Sequence, residues 1–342
     1  MKIYVVFTGG TIGSSVSGGV ISPADSSKSV LLQNHIAHCC DDVSFETFTP
    51  YFALSENLCA ENLNLLVQCV RGIAEKGGEK IIVCHGTDTL QFSAAALSYA
   101  LVGTKACAVL VSANYPLSDS RSNGFANFEA AVDFLKNNNS RGVFAAYKNR
   151  GRNEAEILAA ESLLTYPEGS DFLAEQGFFE NANHAENKSA QKCANAASFA
   201  ENSASNGEIS KRKNPRSLAD FGVQSIEFSH RSGVLALQCV PGCDYNFDLS
   251  GKKAVILRPY HSGTLNTENA DFQKFCALCR QSAVPVFAVS VPAGDIYESS
   301  RAFDKLGVIP LPLTFAHAYV KAWLAPFEGA ELARFMQADI SL

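Results

Sequence analysis

The stretch VVFTGGTIGS, Val5–Ser14, joins an apolar segment directly to a turn of glycine and threonine. A second stretch, VCHGTDTL at Val83–Leu90, has the same form and adds an aspartate. A short apolar strand that ends in glycines places backbone N–H groups at the carboxyl edge of a parallel sheet, where open α/β sheets bind their ligands. If the two strands are neighbours, their turns share one cleft.

Strand-like and helix-like segments alternate through the first half of the chain. This alternation predicts an α/β fold with a doubly wound, mainly parallel sheet. The predicted strands are Ile3–Phe7, Lys80–Cys84, Ala106–Val111 and Gly142–Tyr147, and the predicted helices are Glu61–Glu75, Phe92–Leu101 and Asn127–Leu135.

The alternation stops at Asn181–Asp220, which is rich in Asn, Ala, Ser and charged residues. Such a segment buries too little apolar surface to offset its ordering entropy, so we predict a flexible linker or insertion over residues 181–220. Residues 1–180 would form the N-terminal domain and residues 221–342 a second, smaller α/β domain. Its predicted strands are Gly233–Gln238, Ala254–Leu257 and Val284–Val291, and its predicted helices are Ala270–Cys279 and a closing helix from Phe315.

The chain has 342 residues, of which 47% are apolar, and a formal net charge of −6. This length accommodates two domains, and the composition is that of a folded globular protein. An acidic chain disfavours nucleic acid and anionic membranes as partners. No apolar run is long enough to span a membrane, and the N-terminal MKIYVVFTGG is too short for the core of a signal peptide. We therefore expect a cytoplasmic protein without a membrane or nucleic-acid partner.

Cysteine spacing raises the question of a metal site. The chain has eleven cysteines, an odd number that fits reduced thiols better than a set of disulfides. Cys239 and Cys243, and likewise Cys276 and Cys279, are spaced as some metal ligands are. Their apolar surroundings favour small buried side chains instead, so we expect no metal.

The first glycine turn has three interpretations. A nucleotide cradle requires phosphate at the turn and at the start of a following helix, but the full G-x-G-x-x-G spacing is lacking and Ser14–Ser29 has the composition of a loop. A nucleophilic Thr11 requires a neighbouring group that activates its hydroxyl. The third interpretation is structural, since Thr and Asp commonly cap helices and form turns. The second turn favours a site, because it adds Thr87 and Asp88 at the end of another strand.

These motifs resemble those of the bacterial L-asparaginase/glutaminase family, in a divergent, type I-like form. TGGTIG followed at this distance by HGTDTL carries the resemblance. Three further stretches add to it: PYFALSEN at Pro50–Asn57, VLVSANYPLSDSRSNGFANFEAAV at Val109–Val132, and ILRPYHSGTLN at Ile256–Asn266. Together they cover nearly the whole chain outside the predicted linker.

The resemblance implies hydrolysis of a side-chain amide of a small amino acid through an acyl-enzyme, without metal or organic cofactor. It also implies a homo-oligomer, a dimer or tetramer, in which the last of these stretches completes the active site of a neighbouring subunit. The implied residues are Thr11 as the nucleophile, Thr87 and Asp88 as the second threonine and its acidic partner, Gly10 and Gly86 for close backbone approach, Ser55 and Glu56 as substrate contacts, Ala113 at the leaving amide, and Asn266 from the neighbouring subunit.

The chain departs from the family pattern on the side that activates the nucleophile. Glu156 stands where the family has a catalytic lysine, and the nearest lysine is Lys148. The stretch Ser17–Ile21, which matches the mobile flap, lacks the tyrosine found there. Asn123 replaces an aspartate of the family motif. A carboxylate cannot take the place of an ammonium group beside Asp88, because like charges raise one pKa.

Four functions remain to be compared. The first is an asparaginase-type amidohydrolase, and the second a catalytically weak homologue that senses an amino acid or its amide. The third is the asparaginase-like subunit of a tRNA-dependent amidotransferase. We disfavour it because it would carry a further N-terminal domain and a basic surface, whereas this chain begins at its first strand and is acidic. The fourth, a nicotinamide dehydrogenase, rests only on the glycine turn.

Overall fold

The structure is a computed structural model that describes residues 1–17, 20–23, 26–38, 42–165, 170, 172–175, 217–291 and 297–340. Its first sheet contains β1 (Lys2–Phe7), β4 (Ser44–Phe48), β5 (Lys80–Cys84), β6 (Cys107–Val111), β7 (Gly142–Tyr147) and β8 (Glu156–Ala159). The strand order is β4-β1-β5-β6-β7-β8. All pairs are parallel except β7 with β8, which is antiparallel. The predicted α/β fold with a mainly parallel sheet is confirmed.

The order of the strands creates a switch point between β1 and β5. The chain leaves β1 toward β4 on one side and then returns past β1 to form β5 on the other side. Connections from the two neighbouring strands therefore run in opposite directions, which opens a crevice at their carboxyl ends. Both glycine turns lie in this crevice, since one follows β1 and the other follows β5.

Helices cover both faces of this sheet: α1 (Ser26–His38), α2 (Ala60–Glu75), α3 (Leu90–Ala100) and α4 (Gly124–Asn137). Alternate strand residues face the two layers because side chains in a strand alternate. Val83 and Leu110 pack in the cluster that holds the apolar stripe of α2 and the small residues of α3. Ile82 and Val109 pack in a second cluster with side chains of α1 and α4. The sheet is thus doubly wound.

The second sheet is smaller and entirely parallel. It contains β9 (Val234–Gln238), β10 (Ala254–Arg258), β11 (Val286–Ala288) and β12 (Val308–Pro310), in the order β12-β11-β10-β9. Its helices are α5 (Ala270–Gln281), α6 (Glu298–Arg301), α7 (Phe303–Leu306), α8 (Phe315–Leu324) and α9 (Gly329–Gln337). None of the helices in the described ranges combines the length and the apolar character that crossing a membrane requires.

Two predicted segments were wrong. Ser14–Ser29 is not a loop: β2 (Ser14–Ser17) and β3 (Val20–Pro23) form an antiparallel pair, and α1 begins at Ser26. Two consecutive glycines between short runs that contain valine and isoleucine are a hairpin signal, which the loop prediction overlooked. The strand predicted over Val284–Val291 contains only three residues, Val286–Ala288, and Ser290 just beyond it has a φ of 54°, which a strand does not tolerate.

Helices α3 and α8 join the two sheets. Phe92 of α3 packs edge-on against Phe315 of α8 at 6.3 Å, and Tyr99 lies 4.8 Å from the ring of His317. One apolar cluster runs through both sheets across this contact. Because α3 begins directly after the second glycine turn, the contact between the sheets also supports that turn.

The chain that follows the predicted linker is attached to both sheets. The Asn64 side chain on α2 donates to the Phe228 carbonyl at 2.9 Å and accepts from the Phe228 N–H at 2.7 Å. Trp323 of α8 donates to the Ser229 carbonyl at 2.9 Å. Residues 181–216 of the predicted linker lie outside the described residues. Residues 217–220 were also assigned to the linker; Ser217 precedes a short 3₁₀ helix, Leu218–Phe221. The domain boundaries stay a prediction.

Candidate active site

Strand β1 continues into a backbone pairing with the segment that follows β4. The Ala53 N–H donates to the Thr8 carbonyl at 3.0 Å, and the Gly10 N–H donates to the Ala53 carbonyl at 2.9 Å. On its other side, the Thr8 N–H donates to the Cys84 carbonyl of β5 at 3.0 Å. The first glycine turn is therefore held between two neighbouring segments by main-chain hydrogen bonds.

The two glycine turns touch backbone to backbone. A Cβ atom on Gly10 would lie 2.2 Å from the Cα of Gly86, and Gly10 has a φ of 74°, which favours glycine. A Cβ atom on Gly86 would lie 2.5 Å from the Cβ and Oγ of Ser55. No side chain fits at either glycine. The ends of β1 and β5 and the Ser55 segment consequently meet at one place.

This contact brings several predicted site residues together. The Ser55 hydroxyl donates to Asp88 Oδ2 at 3.1 Å, and the Thr89 hydroxyl donates to the Ser55 carbonyl at 2.9 Å. Asp88 is exposed, whereas Thr11 and Thr87 are half-buried. Thr11 begins a short 3₁₀ helix, Thr11–Gly13, directly after Gly10. Within the described part of the chain, the hydroxyls of Thr11 and Thr87 make no hydrogen bond.

His85 supports the second turn from below, and the sequence analysis missed this role. Its Nδ1–H donates to the Gly86 carbonyl at 2.8 Å, and its Nε2 accepts from the Ser93 hydroxyl at 2.8 Å. Complete burial lowers the pKa of His85 to about 4, so the ring is neutral near pH 7. Both ring nitrogens are occupied. The sequence did contain a signal for this role. His85 directly precedes Gly86, and Ser93 lies in the first turn of the next helix.

Ala113 lies just beyond β6, the next strand after β5, and is fully buried. The peptide groups on either side of it are held by helix α4. The Asn114 N–H donates to Asn123 Oδ1 at 2.9 Å, and the Asn123 N–H donates to Asn114 Oδ1 at 3.0 Å. Asn127 Nδ2 donates to the Ser112 carbonyl at 2.8 Å. The backbone at Ala113 is therefore held in one orientation.

Two other predicted residues, Glu56 and Asn266, make no hydrogen bond at this contact among the described residues. Glu56 is exposed beside Ser55, and Asn266 is exposed in the loop between β10 and α5. Neither side chain has a hydrogen bond to Thr11, Thr87 or Asp88 in the described ranges.

Glu156, at the position of the family lysine, has its own partner. It begins β8 opposite Tyr147 and accepts from Asn149 Nδ2 at 3.4 Å. Asn149 is buried and also donates to the Leu173 carbonyl at 2.9 Å. Over the residues that the structure describes, Glu156 and Asp88 share no hydrogen bond. Glu156 therefore belongs to the packing of the sheet edge in this structure.

Three of the four cysteines in the two pairs, Cys239, Cys276 and Cys279, are buried among apolar residues, and Cys243 is half-buried. Burial raises the pKa of the Cys239 and Cys279 thiols to about 11 and that of Cys276 to about 12. These values keep the thiols protonated near pH 7, whereas a metal binds the thiolate. In the part of the chain that is described, no three His, Cys, Asp or Glu side chains are arranged to hold a metal ion.

Sequence comparison identifies relatives of this chain. The model of the family described as "Asparaginase, N-terminal" matches residues 2–164. A glutamyl-tRNA(Gln) amidotransferase subunit of Metallosphaera sedula is 31% identical over 125 residues, which is 35% of this chain and 28% of that protein. The corresponding amidotransferase subunit of Methanococcus maripaludis is 22% identical over 361 residues, which is 99% of this chain and 80% of that protein. The first match thus spans less than a third of the relative's length.

Solved structures show the same fold over the whole chain. L-asparaginase I from Vibrio cholerae superposes with a TM-score of 0.71 at 17% identity, covering 100% of this chain and 99% of that one. The thermostable L-asparaginase from Thermococcus kodakarensis gives 0.71 at 18% identity, covering 100% and 98%. At these identities the likeness establishes the fold, including its two-domain architecture.

The glycine contact predicts a position-specific loss of stability. Gly10→Ala should lower the free energy of unfolding by about 3 kcal/mol or more, because the added Cβ overlaps the Gly86 backbone and the positive φ is retained. Gly103→Ala is the matched control, since Gly103 has a φ of 77° with nothing within 4 Å of the added Cβ. It should cost only about 1 kcal/mol. Equal losses in chemical denaturation would contradict the close contact.

Proposed function

Since the chain is a divergent member of the asparaginase family, we propose that it hydrolyses the side-chain amide of L-asparagine or L-glutamine to the acid and ammonia. The observation that carries this proposal is the contact of the two glycine turns, in which Gly10 lies against Gly86 and Ser55 is bonded to Asp88. It gathers two free hydroxyls and a carboxylate at the edge of the sheet where ligands of this fold class bind.

The proposed reaction proceeds in two steps with Thr11 as the nucleophile. The Thr11 hydroxyl oxygen attacks the amide carbon, the carbon–nitrogen bond breaks, and the hydroxyl proton leaves with the nitrogen as ammonia. Water then hydrolyses the ester on Thr11, which releases the carboxylic acid and restores the hydroxyl. Backbone N–H groups at the glycine turns are suited to stabilise the oxyanion of each step, because they are fixed before substrate arrives. Thr87 is assigned to support the proton transfer.

The substrate side of the site is acidic. Asp88 and Glu56 are exposed, and both lie beside Ser55, so they are suited to hold the α-ammonium group of an amino acid. Ser55 connects them to the glycine contact through its bond to Asp88. A charge-assisted hydrogen bond from an ammonium group to a carboxylate is among the stronger contacts available to a small ligand.

The group that activates Thr11 differs from the family lysine. His85 is excluded as a general base because its nitrogens already bond Gly86 and Ser93 and its pKa is lowered to about 4 by burial. Glu156 bonds Asn149. We therefore propose a proton relay of this chain's own, built around Thr87 and Asp88.

A second candidate function follows from the names of the curated relatives. These are amidotransferase subunits, so the same amide chemistry could serve a partner protein that uses the ammonia. We place this candidate second because the chain has a net charge of −6, which disfavours a surface for tRNA. Ammonia release from free amino acids by the chain alone separates the two candidates.

The main test is ammonia release from asparagine and glutamine by the purified protein. Thr11→Ala should reduce turnover by about 10³-fold or more, because no other group in the site replaces the nucleophile. Thr11→Ser is the matched control, since it keeps a hydroxyl at the same place and should retain measurable turnover. A wild-type protein that binds an amino acid without releasing ammonia would instead be a sensor. Release only in the presence of a partner protein and tRNA would establish the amidotransferase function.

The proposed relay makes a prediction about Glu156. Glu156→Lys should leave amide turnover unchanged or lower it, because an ammonium group cannot accept the Asn149 hydrogen bond. Glu156→Gln keeps an acceptor and should behave as the wild type. Steady-state ammonia assays measure both variants. A large gain with the lysine variant would show that this protein is a weakened enzyme that lacks only the family's lysine.

We further propose a cytoplasmic homo-oligomer, a dimer or tetramer, in which Asn266 reaches the site of a neighbouring subunit. The exposure of Asn266 supports this assignment. Light scattering should give two or four times the chain mass of 36.7 kDa. Asn266→Ala should lower turnover without changing the molar mass. A monomer with full activity at micromolar concentration would rule out the shared site.

A further inference from the structure

The end of helix α9 (Gly329–Gln337) is capped by a buried lysine of another helix. The last carbonyls of an α-helix have no hydrogen-bond partner within the helix itself. Lys321 of α8 provides one, since its Nζ donates to the Met336 carbonyl at 3.1 Å and to the Ala338 carbonyl at 2.7 Å. Over the residues that the structure describes, no other hydrogen bond joins α9 to another element. The attachment of α9 by hydrogen bonds therefore depends on one side chain.

Apolar contacts provide the rest of the attachment. Helix α9 has nine residues and buries Leu332, Phe335 and Met336 in the cluster that also contains side chains of α8. The ring of Phe335 lies 5.2 Å from that of Phe221 and 5.3 Å from that of Phe327. Helix α3, by comparison, buries ten residues. Because α9 has so few buried contacts, it can separate locally while the two sheets stay folded.

The amine of Lys321 is buried without a counter-ion. Lys321 is 2% exposed, and no carboxylate in the described ranges forms an ion pair with it. Asp339 favours the charge of Lys321 but is itself exposed. His317, one turn earlier on α8, is neutral near pH 7 because burial lowers its pKa to about 3. Burial outweighs the attraction of Asp339 and lowers the pKa of Lys321 from 10.5 to about 8.

Release of α9 exposes Lys321 to water and restores its affinity for a proton. Between about pH 8 and pH 10.5, the released state therefore binds more protons than the docked state. Lower pH within this range favours release. Higher pH favours docking, because the neutral amine still has two N–H groups for the two carbonyls. Below about pH 8 both states carry the proton, so the balance between them no longer changes with pH.

We propose that Lys321 is a proton-linked clasp, from which α9 is released as a unit and more readily when the lysine is charged than when it is neutral. The clasp is a conformational property of the fold and does not depend on amide hydrolysis. Near neutral pH it holds a buried charge, so α9 is docked least firmly there. Raising the pH removes the charge but keeps the hydrogen bonds, which tightens the clasp.

Hydrogen exchange followed by mass spectrometry tests the clasp in the whole protein at pH 7 and pH 9. After correction for intrinsic exchange rates, the protection of α9 peptides should rise about tenfold from pH 7 to pH 9. The pKa of buried Lys321 lies between these two values, and each pH unit above it changes the release equilibrium by a factor of about ten. Peptides of α9 should also be less protected than those of α4, because α9 opens locally.

Lys321→Met keeps a long unbranched side chain but removes the amine, so the protection of α9 should no longer depend on pH. Lys274→Met is the matched control, because Lys274 lies exposed on α5 and donates to Asp271. It should keep the tenfold change. Equal protection of α9 at both pH values in the wild type would overturn the proposal, as would a tenfold change that survives Lys321→Met. Equal protection of α9 and α4, changing in parallel, would show that only the whole protein unfolds and would overturn it too.

Discussion

The backbone contact between Gly10 and Gly86 is the constraint on which the site depends. Neither position has room for a Cβ atom, and Ser55 closes the contact from a third segment. Main-chain hydrogen bonds from the first turn to Ala53 keep the segments in register. Because these backbone contacts hold the turns in place, they also fix the positions of the side chains that follow the turns. The geometry of the site is therefore determined mainly by the backbones of three chain segments at the sheet edge and much less by side-chain packing.

Helix α3 connects the second glycine turn to the rest of the molecule. It begins at Leu90, directly after the second turn, and is buried between the first sheet and α8. Its alanines and serines allow close packing on both sides, because small residues let neighbouring layers approach. His85 ties the turn to the same helix through Ser93. The second sheet thus stabilises the second turn without contributing a residue to it.

The glycine contact brings together Ser55 and Asp88, which the family resemblance implies as site residues, whereas the activation of Thr11 is proposed to differ from that of the family. Ser55 and Asp88 are bonded to each other at the glycine contact. Glu156 is bonded to Asn149 at the edge of the sheet, and His85 is neutral and fully engaged. The proposed relay to Thr11 therefore uses groups near the turn itself.

The sequence by itself determined the central strands and the two turns. β1, β5, β6 and β7 are predicted to within a residue, because buried parallel strands are continuous apolar runs, and glycine followed by threonine marks where two of them end. Only the tertiary structure decided what depends on contacts between distant segments. β4 was missed because it is a half-exposed edge strand without a strong pattern, and β11 is shorter than predicted, with a positive φ at Ser290 just beyond its end. The adjacency of β1 and β5 and the pairing of Asn114 with Asn123 follow from strand order and loop closure, which local residue preferences do not encode.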